Sequence, residues 1–135
     1  MKIQLRKGVA AVCAALATTV GAGPALAQGK VSDGVVRIGV LTDMSGQFSH
    51  ESGQGSVTAI KMAVEDFGGK VLGAPIDVIF ADHLNKGDTA TTKAREWFDT
   101  QKVDMVANLI NSAIAIAVAN VAKEKNRIAI VNGSG

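Results

Sequence analysis

Apolar positions along the chain follow two alternating periods. Val35-Val36-Arg37-Ile38-Gly39-Val40-Leu41 is a near-continuous apolar run, the pattern of a strand buried on both faces of a parallel sheet. Val57, Ile60, Ala63, Val64 and Phe67 then recur at helical spacing, with Lys61, Glu65 and Asp66 on the other side. Gly68-Gly69 ends that helix. Residues 71–75 read as a turn into a second strand over 76–81. Asp88 is the expected N-cap of a second helix, which carries Ala90, Ala94, Trp97 and Phe98 on one face. A third strand is predicted over 103–110. Asn111-Ser112 then caps a third helix with an inner stripe of Ile114, Ala117, Val118, Val121 and Ala122. Lys123, Lys125 and Asn126 suit the negative end of that helix, and residues 127–131 form a fourth strand.

The order is βαβαβαβ. Each crossover is long enough for a helix, so the expected fold is α/β: a doubly wound parallel sheet with right-handed connections. Ligands of such sheets bind outside the carboxyl ends of the strands, where strand order reverses. With strand one central between strands two and three, that crevice lies between the loops after strands one and three. The first loop, Thr42 to Gly55, is far longer than the 2 to 6 residues usual for such a connection. It is polar and rich in glycine. The rim offers the hydroxyls of Ser45, Ser49, Ser52, Ser56, Ser112 and Ser134, the amides of Gln47 and Asn111, and backbone N–H groups at glycines. Helix N-termini expected near Ser56 and Ser112 add unpaired donors and a positive dipole end. These groups suit a small anion, above all a carboxylate.

Composition changes the picture at the N-terminus. Lys2, Arg6 and Lys7 precede an uncharged, mostly apolar run of 13 residues over 8–20, and Ala25-Leu26-Ala27 follows before Gln28. This is a secretory signal peptide over 1–27, with cleavage expected between Ala27 and Gln28 and a periplasmic destination. The apolar run is too short to span a bilayer as a helix, which needs about 20 residues. The only cysteine, Cys13, lies inside the signal; a lipidated Cys13 would be preceded by the bulky Val12, where a small residue is expected. The mature chain then has no thiol, hence no disulfide and no cysteine-ligated metal. The signal also holds three of the 14 basic residues, leaving eleven against 12 acids and a mature net charge of about −1. The chain's apparent basicity belongs to export and gives no argument for nucleic acid. Ending on Asn132-Gly133-Ser134-Gly135 with no helix after strand four, the sequence reads as a truncated chain with an exposed edge.

Other chemistries find weaker support. Gly53-Gln54-Gly55 begins a G-x-G, but Thr58 stands where the third glycine belongs and the strand ends far upstream. Gly68-Gly69-Lys70-Val71 lacks the spacing and hydroxyl of a P-loop. The alternative to a binding module is an exported α/β enzyme or nucleotide-binding domain using His50 and Glu51, with Ser49 beside them. No G-x-S-x-G elbow accompanies them. Asp82-His83 follows strand two, away from the expected crevice, and supplies too few ligands for a metal. Asp43 resembles the acid after strand one of a phospho-acceptor domain, a poor fit to an exported protein. No catalytic residue, cofactor or metal is expected.

Four segments carry a family resemblance: V-R-I-G-V-L-T-D-M-S-G-Q-F-S, A-I-K-M-A-V-E-D-F-G-G-K-V-L-G-A-P-I-D-V, A-D-H-L-N-K-G-D-T-A and E-K-N-R-I-A-I-V-N-G-S-G. The chain resembles solute-binding proteins of bacterial ABC importers, of the branched-chain amino acid (leucine/isoleucine/valine-binding) type, through residues 35–135. The resemblance implies two α/β lobes on a hinge, closing on a solute that a membrane permease then receives. On that basis residues 28–135 are an incomplete first lobe of a type I periplasmic binding protein, one that binds an amino acid or a similar small carboxylate. The family's carboxylate grip maps onto Asn111, Ser112 and Ala113 after strand three and onto Asn132, Gly133 and Ser134 after strand four. The first loop, including Ser45, Gln47 and Phe48, would wall the cleft, with Phe48 as its aromatic.

Overall fold

The computed structural model describes residue 31 and residues 33–133. The expected signal segment over 1–27, Cys13 and Ser134 lie outside the described residues. Eight elements follow in order: β1 (Val36–Thr42), α1 (Gly53–Asp66), β2 (Lys70–Val71), β3 (Ala74–Asp82), α2 (Gly87–Asp99), β4 (Met105–Ala107), α3 (Ser112–Glu124) and β5 (Ile128–Ile130). The sheet order is β2-β3-β1-β4-β5. β1 is central and pairs in parallel with β3 (Ile38↔Val78) and β4 (Ile38↔Met105), and β4 pairs in parallel with β5. The expected βαβαβαβ order holds. What the periodicity misses is β2, a two-residue strand antiparallel to β3. The segment expected to be only a turn is a hairpin closed at Leu72 and Gly73, both with positive φ.

Chain direction puts α2 and α3 on one face of the sheet and α1 on the other, because right-handed crossovers run left from β1 and right from β3 and β4. The α2–α3 face holds the main core. Leu41, Val106 and Leu109 meet Ala90, Ala94, Trp97 and Phe98 of α2 and Ile114, Ala115, Val118, Val121 and Ala122 of α3. The expected α2 stripe is buried in full; in α3, Ala115 rather than Ala117 completes the buried set. Gly39 stands mid-strand because an added Cβ would lie 2.5 Å from Trp97 Cζ3. The indole therefore occupies the space a side chain would need.

The opposite face is thinly covered. Of the expected α1 stripe only Val57 is fully buried, and Phe67, at the helix C-cap, is 66% exposed. Alternation puts Phe80 on this same face, where it is half exposed and lies 5.3 Å beneath the Lys61 ammonium. Ile128 and Ile130 of β5 are exposed there too. α1 packs over β1 and β3, and the β5 edge is left exposed on that side at Ile128 and Ile130.

Several element boundaries differ from expectation, two of them for reasons visible in the backbone. β4 stops at Ala107, because Asn108 takes a left-handed φ of 69° that ends pairing. α2 begins at Gly87 after an extended Lys86 with no side-chain cap. Asp88 is therefore in the first turn and not its N-cap; there its charge faces the positive end of the helix dipole.

Candidate functional site

The long loop between β1 and α1 is a rigid, internally bonded unit. Asp43 is fully buried. Its Oδ1 accepts from the Gly46 N–H at 2.7 Å and its Oδ2 from the Phe48 N–H at 3.0 Å. An added Cβ at Gly46 would lie 2.6 Å from that carboxylate, so only glycine allows the wrap. The Glu51 and Ser52 N–H groups both donate to the Phe48 carbonyl, at 3.1 and 3.0 Å. The Ser52 hydroxyl donates to the same carbonyl at 2.9 Å. Ser52 is the N-cap of α1, but its side chain caps no helical N–H. The helix expected to start near Ser56 starts at Gly53, whose φ of 43° turns the chain into it.

Asp82 clamps the loop from outside. Its Oδ1 accepts from the Met44 and Leu84 N–H groups, at 3.0 and 2.7 Å, and its Oδ2 accepts from the Ser45 hydroxyl at 2.6 Å. Burial pushes the Asp82 carboxyl up, but the bonds from Ser45, Met44 and Leu84, aided by His83, outweigh it and hold the pKa below its ordinary value. Asp82 and His83 do not line the crevice, as expected, but through Met44, Ser45 and Asn85 they brace the segments that do. His83 is fully buried, and its Nδ1 accepts from the Asn85 N–H at 3.0 Å. That bond assigns the ring proton to Nε2, which is buried with no partner among the described residues. Burial, opposed by Asp43 and Asp82, lowers the His83 pKa.

The bracing continues to α3. Asn85 accepts at Oδ1 from the Asn111 side-chain amide at 2.9 Å. Asn111 is the N-cap of α3: its Oδ1 accepts from the Ala113 N–H at 2.9 Å and the Ile114 N–H at 3.3 Å. At the floor, the Asn108 amide donates to Thr42 Oγ1 at 2.8 Å, and the Asn108 N–H donates to Asn132 Oδ1 at 3.2 Å. Asn108 therefore joins the ends of β1 and β4 to the segment after β5.

A cleft of about 340 Å³ opens at this end of the sheet, lined by Phe48, Glu51, Ile110, Asn111, Ser112 and Gly133. It lies at the expected switch point between the β1 and β4 loops. Four expected site residues (Phe48, Asn111, Ser112 and Gly133) meet there. Others are committed elsewhere: Ser45 to Asp82, the Ala113 N–H to the α3 cap, and Asn132 Oδ1 to Asn108. Gln47 is exposed on the loop. Ile110, Asn108, Asn85 and Asp82 were not singled out as site residues. The signal available for Asn108 was an amide interrupting an apolar run, and for Asn85 an amide in a turn after a strand.

The cleft's electrostatics are simple. Among the described residues no lysine or arginine lines it, and Glu51 is its one charged side chain. Among the described residues, positive character comes from the start of α3. His50 is exposed, and no hydrogen bond among the described residues joins it to Ser49 or Glu51. Among the described residues no group of three or more His, Cys, Asp or Glu could hold a metal ion, and no helix is long and apolar enough to cross a membrane.

Known proteins agree with this geometry. A periplasmic binding protein from Burkholderia mallei is 50% identical, with a TM-score of 0.74 over 76% of this chain and 28% of its own. A branched-chain amino acid ABC transporter periplasmic ligand-binding protein from Burkholderia xenovorans is 45% identical, with a TM-score of 0.69 over 71% of this chain and 26% of its own. An ABC transporter solute-binding protein from Rhodopseudomonas palustris, in complex with 3,4-dihydroxybenzoic acid, is 26% identical, with a TM-score of 0.68 over 76% of this chain and 28% of its own. The chain thus spans little more than a quarter of these proteins. No curated protein matches it. The sheet is that of type I periplasmic binding proteins, and residues 35–135 match the family model described as periplasmic binding protein; the chain belongs to that family.

Proposed function

We propose that residues 28–135 form part of the first lobe of an extracytoplasmic receptor for an ABC importer, which holds a small carboxylate-bearing solute and presents it to an inner-membrane permease. The observation that carries this reading is the cleft at the carboxyl ends of β1 and β4, with the start of α3 as one wall. Asn111 and Ser112 offer polar groups there, Gly133 keeps the far side open, and Phe48 with Ile110 provides an apolar lining for the solute's body. Ser45, Gln47, Ala113, Asn132 and Ser134 belong to the same rim. Ser45 and Asn132 serve it by fixing the loops, and Ala113 by completing the cap. Residues 1–27 direct export and are removed after Ala27.

The named relatives fit this class from two sides. One is named for branched-chain amino acid transport and another holds a dihydroxybenzoic acid; both solutes carry a carboxylate. A braced, preorganised wall favours binding because little is left to order when the solute arrives.

Calorimetric titration of the protein with amino acids, hydroxybenzoates and short-chain acids, each beside its amide, tests the proposal. Heat with a carboxylate and none with its amide is expected. Silence across all the carboxylates would overturn it.

A further inference from the structure

His83 lines no part of the cleft, yet the wall at Asn111 hangs from it. The ring is fully buried, and its Nδ1 accepts from the Asn85 N–H at 3.0 Å. Asn85 in turn accepts, through Oδ1, from the Asn111 amide at 2.9 Å. Asn111 both lines the cleft and caps α3. A short relay of hydrogen bonds thus runs from a titratable ring to the cleft wall. The turn that carries it is a held one. Leu84 and Asn85 both have positive φ, 55° and 52°, a conformation that residues with a Cβ keep only where their surroundings enforce it. Asp82 Oδ1 accepts from the Leu84 N–H at 2.7 Å, and His83 Nδ1 accepts from that of Asn85. The turn therefore depends on both acceptors.

Nδ1 can accept only while the imidazole is neutral. A second ring proton makes both nitrogens donors, and the Asn85 N–H then faces an N–H. Among the described residues the charged groups acting on the ring are Asp43, from the loop after β1, and Asp82, beside it on β3. Lys86 and Asp88, at the start of α2, are exposed. Burial opposes the charged ring and outweighs the two acids, so the ring stays neutral through pH 6.5 and charges only in more acid solution. We infer that His83 is a positioning residue for the cleft, one that holds the Asn111 wall in place as a neutral imidazole and lets it go when protonated in acid. Protonation breaks the Asn85 bond, Asn85 leaves its left-handed conformation, and the Asn111 amide loses its acceptor. The wall at the start of α3 then moves while the α2–α3 core stays packed, and a solute held there is released. Release of a solute rests on the receptor reading above; movement of the wall does not.

The test is an NMR titration of the whole chain without solute, from neutral pH into acid until the fold is lost. It follows the His83 ring, the Asn85, Ala113 and Ile114 N–H groups, the Asn111 side-chain NH₂ and the Trp97 indole. The Asn85, Asn111, Ala113 and Ile114 signals are expected to shift with the midpoint of the His83 ring, and the Asn85 N–H to lose its protection from exchange, while Trp97 keeps its native position. In His83→Asn, whose amide oxygen still accepts from Asn85 but takes up no proton, the same signals should stay put over that interval. In His83→Leu, which offers no acceptor, they should be displaced already at neutral pH. Asn111 and Ala113 signals that do not move as the His83 ring charges, or that follow the midpoint of His50 instead, overturn the inference. So does a ring that stays neutral until the Trp97 signal is lost with the fold, because nothing is then switched. The wild-type titration decides alone should either variant fail to fold. None of these results bears on whether a carboxylate binds, which the calorimetric panel decides separately.

Discussion

The side-chain amide of Asn111 donates to Asn85 Oδ1 at 2.9 Å, tying the cap of α3 to the turn after β3. One residue thus does two things with its two ends. Its carbonyl oxygen caps the helix and its NH₂ fixes the cleft wall to the sheet. Two substitutions separate these roles. Asn111→Ala removes both and should cost about 1 kcal/mol from the lost cap alone, with weaker solute binding. Asn111→Asp keeps an acceptor for the Ala113 and Ile114 N–H groups but loses the donor to Asn85, so it should cost less stability than Asn111→Ala without matching wild type. It also puts a negative charge where a carboxylate is expected, so its affinity should fall at least tenfold. Thermal denaturation and calorimetry on the two variants check this; an Asn111→Asp protein that binds normally would exclude Asn111 from the anion site.

Asp43 is the keystone of the first loop. Asp43→Ala would leave the Gly46 and Phe48 N–H groups without their acceptor. At about 1–3 kcal/mol for an unsatisfied buried group, a loss of roughly 2–4 kcal/mol is expected, read from the denaturant midpoint. Gly46→Ala reaches the same loop from the other side, since its Cβ would come within 2.6 Å of the Asp43 carboxylate. That clash displaces the turn carrying Phe48 and Glu51 but spares the α2–α3 core. Its larger effect should therefore be on affinity, not on stability.

What the sequence disclosed follows from which forces act locally. The strand and helix alternation was legible because burial leaves a period: Ala90, Ala94, Trp97 and Phe98 announce one face of α2, and all four are buried. The central place of β1 is an assumption that the observed strand order bears out, and given it the cleft position follows from the rule that ligands bind where strand order reverses. The α1 stripe misled because periodicity marks a face that can be buried without saying how much of it is covered; Ala63 and Phe67 are exposed. The bracing of the site was illegible for another reason. Asp82 to Met44, Asn85 to Asn111 and Asn108 to Thr42 are side-chain bonds between residues 26 to 66 positions apart, and no local pattern encodes them. Asp43 and Asp82, set aside as candidate chemistry from the sequence, both serve as turn acceptors.

Gly39 and Trp97 form a coupled pair. With a Cβ at Gly39 meeting the indole at 2.5 and 2.6 Å, Gly39→Ala overpacks the core, which costs about 1–3 kcal/mol. In a Trp97→Leu background the ring is gone, so adding Gly39→Ala should cost little. The double-mutant cycle should show a favourable coupling of about 1 kcal/mol or more. Additive losses would mean that the indole moves aside freely.

Acid should destabilise the fold in two stages. His83 has its pKa lowered on folding from an ordinary 6.5, so the unfolded chain takes up the proton first. Its contribution is complete above pH 6.5 and is lost as pH falls from there through the folded value. The cause is geometric: the ring is fully buried, Nδ1 is occupied by the Asn85 N–H, and a second ring proton would charge a group whose Nε2 already lacks a partner. Asp82 acts lower. Its folded pKa lies below an ordinary 3.8, so the clamp on Met44 and Ser45 persists above that value and is lost as pH drops through the folded one. His83→Asn separates the stages, because the asparagine Oδ1 can accept from the Asn85 N–H but cannot take up a proton. The variant loses some packing, about 1–3 kcal/mol at every pH, yet its melting temperature should no longer decline between pH 6.5 and 5. A wild-type midpoint that is flat across that interval, or a variant that keeps the same decline, would show that His83 is not the group responding to acid.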